Sequence, residues 1–174
     1  MDWLNNNLGT SLGALVVWGF LMALLFNLMM RFVKENYNDT LLFTSFAMFT
    51  SYFISDHFWE LYNLAEIYLI WFFYDVGTIV LISLFIFFTK KEIPKGSKYI
   101  FIGLCINSIL LLSMYIDIRI YRNDLRWWLW DLYSAGVNII DFIMIVALIL
   151  DRDYLGVIRL SKLITSPIQK KALN

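Results

Sequence analysis

Residues 129–150 read LWDLYSAGVNIIDFIMIVALIL. This run matches the ~20 apolar residues that a helix needs to cross ~30 Å of hydrocarbon. Its polar residues are not scattered. Asp131, Ser134, Asn138 and Asp141 are spaced three, four and three, which puts all four on one helical face. In lipid, backbone N–H and C=O groups must be satisfied within the segment, so the run is a helix. Its polar stripe is expected to face water or other helices.

Four further apolar runs accompany it: Ser11–Val33, Thr40–Trp59, Ile67–Phe88 and Tyr99–Asp117. With Leu129–Leu150 they predict an all-α, polytopic integral membrane bundle of five transmembrane helices. Composition agrees: the chain is 60% hydrophobic and 18% aromatic, which leaves too little polar material to surface a soluble domain of 174 residues. The second run is the most polar, with Thr44, Ser45, Thr50, Ser51, Ser55 and Asp56. A four-span alternative would lay one run flat. The expected organisation is one transmembrane domain over 1–150 and a cytoplasmic amphipathic tail over 151–174, broken by Pro167. The start, Met1–Thr10, lacks a positive n-region and carries Asn5, Asn6 and Asn7, so the first run reads as a retained helix rather than a signal peptide.

Basic residues set the expected orientation. Arg31 and Lys34 follow the first run, and Lys90, Lys91, Lys95 and Lys98 follow the third. The tail holds Arg152, Arg159, Lys162, Lys170 and Lys171, whereas the connection after the fourth run holds Arg119, Arg122 and Arg126. With alternating sides the count is 11 against 3, and all eight lysines share one side. The positive-inside rule then places the N-terminus outside and the C-terminus in the cytoplasm, in the bacterial inner or plasma membrane. Net charge is zero, which provides no bulk field for direct nucleic-acid binding.

An acid at the bilayer centre costs about 2.5–3.5 kcal/mol on insertion scales, so intramembrane acids have a structural or functional reason to be there. Asp141 lies roughly 18 Å past Leu129, and Asp75 about 12 Å past Ile67, at 1.5 Å per residue. Asn107 lies at comparable depth from the other side. Asp75, Asn107, Asp131, Ser134, Asn138 and Asp141 therefore form either an ion or proton path from outside, or a hydrogen-bonded network that specifies packing. The hairpins of spans two and three and of spans four and five also show a faint repeat, each descending through an Asp followed by Ile-Val: Asp75 before Ile79-Val80, and Asp141 before Ile145-Val146.

A second charged group, Asp56, His57, Glu60, Asp117, Arg119, Arg122 and Arg126, is expected at the outer rim. Arg119 would pair there with Asp117, Asp131 or Glu60, with Trp127, Trp128 and Trp130 anchoring at headgroup level. The three arginines would share one face of any helix continuing from span four. His57 with Asp56 and Glu60 on one turn is too few ligands for a metal site, so no metal is expected. Gly9 and Gly13, then Gly19 and Ala23, give span one small-xxx-small spacings, which suit packing within the chain or self-association. Cys105 reads as packing, since one cysteine makes no internal disulfide.

Enzyme signatures and cofactor motifs are absent: there is no Gly-x-Ser-x-Gly, His-Glu-x-x-His or phosphate-binding glycine loop. The expected role is a non-enzymatic membrane subunit without a cofactor. It would self-associate in the bilayer and recruit or signal to a cytoplasmic protein through the Lys90–Lys98 loop and the 151–174 tail, as in envelope-stress or phage-defence sensing. The alternative is a small ion or proton channel or transporter using Asp75, Asn138 and Asp141.

Overall fold

The computed structural model describes residues 2–33, 38–57, 64–123, 125, 127–153 and 156. Five helices account for nearly all of them: α1 (Asp2–Val33), α2 (Asp39–His57), α3 (Leu64–Thr89), α4 (Lys95–Tyr115) and α5 (Trp128–Leu150). A π-helical turn, Ile116–Ile120, extends α4, and no strand occurs among the described residues. Each helix packs against its neighbours in sequence, and α5 closes back on α1, so the bundle is a ring. In this up-and-down arrangement the starts of α1, α3 and α5 and the ends of α2 and α4 lie at one end, here the upper end. The ends of α1, α3 and α5 and the starts of α2 and α4 lie at the lower end.

Four helices are long and apolar enough to cross a membrane: Leu12–Val33, Glu66–Thr89, Lys95–Ile120 and Trp128–Leu150. Their outward faces carry large apolar side chains, such as Trp18, Phe73, Ile109 and Phe142, each more than 60% exposed outside a bilayer. The chain is therefore a membrane protein. The second helix falls short in composition, not in length: 19 residues at 1.5 Å each give about 28 Å. Its polarity is directed inward. Thr40, Thr44 and Ser45 are buried, while Phe46 and Phe53 face outward. Hydropathy averages the two faces, which is why this run reads as the weakest span.

Helix-to-helix polar contacts hold the lower half. The Asn27 amide on α1 donates to Ser45 Oγ on α2 (2.9 Å) and to the Leu148 carbonyl on α5 (3.0 Å). Thr44 and Ser97 hydroxyls pair at 2.9 Å across α2 and α4. Pro94 precedes α4 and offers no side-chain cap, and Asp151 takes that role: its Oδ1 accepts from the Gly96 N–H at 2.7 Å. Asp151 itself adopts a left-handed conformation (φ 45°) and ends α5, so the last helix stops at Leu150 instead of continuing into the tail. At the lower surface Asp39 pairs with Lys91 and, at 3.9 Å, with Arg31. The expected amphipathic helix of the tail lies outside the described residues, apart from 151–153 and 156.

Small residues on α1 serve contacts within the chain. A side chain at Gly19 would run into Ile145 of α5, Ala23 is fully buried, and a Cβ at Gly13 would lie 3.2 Å from Asp56 Oδ1. Gly9 lies in α1, ahead of the residues whose packing is described. Cys105, expected within the packing, is exposed on the outer side of α4.

Candidate functional site

All five helices contribute to one cavity of about 250 Å³ in the upper half of the bundle. It runs from Leu12, Ser55 and Asp56 at the upper end down to Asp75, Asn107 and Asp141. Asp56 is exposed, so the cavity reaches the surface there. Asp75, Asn107 and Asp141 are 6%, 1% and 3% exposed. Ser134, Asn138 and Asp141 on α5 are seven residues apart in all, so the polar wall descends about 10 Å. These three residues line the cavity as their spacing implies. Asp131, the fourth of the stripe, is exposed and does not line it. One turn nearer the helix start, it sits above the cavity's upper edge.

Asp141 is the centre of a three-helix network. Its Oδ1 accepts from the Tyr52 hydroxyl of α2 at 2.7 Å and from Asn107 Nδ2 of α4 at 2.8 Å. Asn107 Nδ2 also approaches Tyr52 Oη at 3.3 Å. Asp75 is placed differently. Its Oδ2 is buried without a hydrogen-bond partner among the described residues, and so is Asn107 Oδ1. Leaving such an acceptor unmade in a low-dielectric site costs about 1–3 kcal/mol, more when it is charged. The two carboxyls line one cavity with no Lys, Arg or His among its described lining residues. The site thus joins two carboxyls and unfilled acceptors, with no cationic side chain among its described lining residues. Asn138 lines the wall, but its Nδ2 is committed to the Ser134 carbonyl of its own helix at 2.6 Å.

Below the acids the bundle is closed. Phe20, Met48, Ile82, Leu104 and Met144, one from each helix, are fully buried and form an apolar plug. The Phe20 ring packs 4.6 Å from that of Tyr52, so the plug directly underlies the network. All five plug side chains are apolar.

Aromatic and hydroxyl residues complete the walls: Tyr52, Trp71, Tyr74 and Tyr133, with Ser51 held by a 2.8 Å bond from Thr78 Oγ1. Sequence reading placed none of the four aromatics in this site and named Ser51 only for the polarity of the second run. Tyr52 reads as one more aromatic of an apolar run, although Ser51, Tyr52 and Ser55 continue the buried face set by Thr44 and Ser45. That shared face is the signal that could have found it.

Within the outer-rim group, Asp117 has partners other than the expected arginine. Asp117 is buried, and tryptophans rather than Arg119 satisfy it: Trp127 Nε1 donates at 2.9 Å and Trp130 Nε1 at 3.3 Å to Oδ2, and Asn123 Nδ2 at 3.3 Å to Oδ1. Two indole N–H groups on the returning chain reach the carboxylate because the π-turn rotates Asp117 inward. Arg119 is exposed, and the helix ends before Arg122, which has φ 51°. Arg119 and Arg122 therefore do not share one continuing helix. Glu60 and Arg126 lie outside the described residues. His57 stacks on Phe53 at 6.0 Å, and no cluster of three metal-ligating side chains occurs among the described residues.

These features define a multi-pass helical membrane protein with an acidic cavity inside its bundle. No protein-family model, curated protein or solved structure matches the chain.

Proposed function

We propose that this chain is a non-enzymatic receptor of the cytoplasmic membrane that takes a small cationic species from the outer side into its Asp75–Asp141 cavity. The observation that carries this reading is the pair of buried carboxyls, one with an unfilled acceptor, in a cavity lined by no described cation. Each acid costs about 2.5–3.5 kcal/mol to hold at the bilayer centre, and a bound positive charge offsets that cost. The one-sided lysines support a cavity mouth on the outer face. The apolar plug beneath the acids favours a receptor over an open pore.

Self-association and a cytoplasmic partner belong to the same proposal, as the means of reading out occupancy. The exposed Lys90 and Lys95 at the lower end are available to such a partner, whereas Lys91 is engaged by Asp39.

The test uses Ser134→Cys in a Cys105→Ser background, in sealed vesicles of known sidedness. A membrane-impermeant cationic thiol reagent is expected to label from the outer side, faster than its neutral counterpart. Asp141→Asn should reduce that charge preference. Labelling from the inner side or from neither, or equal rates for the two reagents, overturns the reading.

A further inference from the structure

We infer that the cavity's ligand is a small organic ammonium compound, not a bare ion. The inference rests on the cation-binding reading above and specifies its ligand. Volume is the first reason. About 250 Å³ corresponds to about eight waters at ~30 Å³ each, far more than one desolvated metal ion fills.

The lining is the second reason. A hard divalent cation takes six or more oxygens in a close shell, carboxylates foremost, and the described residues offer no group of three among His, Cys, Asp and Glu. The upper walls instead present Trp71, Tyr74 and Tyr133, with Tyr52 at the level of the acids. Aromatic rings beside carboxylates are the surroundings that recognise ammonium groups, through the negative face of each ring. Between them Val16, Val17 and Val137 leave apolar surface for a hydrocarbon body.

The unfilled acceptors are the third reason. A primary ammonium has three N–H donors and no acceptor. Asp75 Oδ2 and Asn107 Oδ1 are nine-tenths or more buried, line the cavity and have no partner among the described residues. They supply two of the acceptors such a headgroup needs, and the Asp141 carboxylate, already fixed by Tyr52 and Asn107, supplies countercharge. The polar head would therefore sit at the bottom of the cavity, on the plug, and the body would lie along the aromatic walls toward Asp56.

Isothermal titration calorimetry of the full chain in lipid nanodiscs tests this with benzylammonium, the neutral isostere benzyl alcohol, and sodium chloride. Benzylammonium is expected to bind with one site per chain and benzyl alcohol at least tenfold more weakly. Asp75→Asn and Asp141→Asn should each weaken benzylammonium binding about thirtyfold or more, as for loss of one partner of a buried charge pair. Trp71→Leu, which keeps both acids, should weaken it several-fold. Circular dichroism and gel filtration identify any variant that has lost its fold, and Trp71→Leu then decides. Equal binding of benzyl alcohol overturns the inference. So does the absence of benzylammonium binding in a protein that still prefers the cationic thiol reagent, a result that leaves the cation-binding reading standing. Loss of both responses overturns the two together.

Discussion

Replacing Asn27 by alanine should unlock the lower half of the bundle. The Asn27 amide has two hydrogens and three acceptors within 3.0 Å: the Ala23 carbonyl, Ser45 Oγ and the Leu148 carbonyl. The Ala23 contact lies within α1 and is lost at little cost. The Ser45 contact is an interhelical hydrogen bond, worth about 0.6 kcal/mol on average and up to ~1.7 in membrane proteins. The Leu148 contact matters more. Leu148 lies in the last turn of α5, where carbonyls have no partner further along the helix. The carbonyl before it, Ala147, is satisfied by the Asp151 N–H, and Asn27 provides for Leu148 itself. Leu148 is fully buried, so removing the amide strands an acceptor at about 1–3 kcal/mol. Together the two losses give about 2–4 kcal/mol. Unfolding in mixed micelles with increasing dodecyl sulfate, followed by tryptophan fluorescence, measures it. Ser45→Ala alone should cost about 0.6–1.7 kcal/mol, and adding it to Asn27→Ala should change little, because the two share one bond. A loss below about 0.5 kcal/mol for Asn27→Ala would refute the assignment, because that is the range of substitutions without a buried partner.

Three further outcomes follow from the packing. At Gly96 an added Cβ would meet the Ala147 carbonyl at 2.6 Å, a backbone atom, whereas at Gly77 it meets nothing. Gly96→Ala should therefore destabilise by about 1–3 kcal/mol, while Gly77→Ala should stabilise by up to ~1 kcal/mol, both read in the same micelle titration. The Lys91 ammonium beside Asp39 holds its carboxyl below the usual carboxylate range, so this pair contributes above that range and is lost as pH falls through the lowered value. Lys91→Ala should then cost at most about 1 kcal/mol at pH 7, since the pair is surface-exposed, and have no effect at strongly acid pH, which thermal unfolding at the two pH values checks. Asp117→Leu removes the shared acceptor of Trp127 and Trp130, and should loosen the α4–α5 connection by about 2 kcal/mol, with faster limited proteolysis near residues 121–127.

The elements were largely legible in the chain, and their partners were not. Apolar length located α3, α4 and α5 to within a few residues, because lipid imposes a length on any spanning helix, whereas α1 ends at Val33 as expected but begins at Asp2, nine residues before Ser11. The polar stripe on α5 could be read because its members lie on one helix, where 3.6-residue spacing fixes their common face. That Asp141 meets Tyr52 and Asn107 required knowing that α4 lies beside α5 and that α2 faces it across the ring, and spacing along one helix carries no such information. The same limit explains Asp117. Its charge suggested an arginine partner, but the π-turn and the returning chain bring indole N–H groups instead.

The order in which the ribosome makes these helices gives the Asp151–Gly96 bond a further consequence. The amide that opens α4 is capped by a carboxylate 55 residues later in the chain, and the Asn27 amide reaches a carbonyl 121 residues away. During synthesis, α1 to α4 enter the bilayer with the Gly96 amide lacking this cap and the Asn27 amide bonded only to Ala23 and Ser45. The arrival of α5 completes both sets of bonds, closes the ring and supplies Asp141. Insertion of the last helix is thus the assembly step that completes the cavity, so a chain stopped before α5 lacks both the Ser134–Asp141 wall and the Asp141 network.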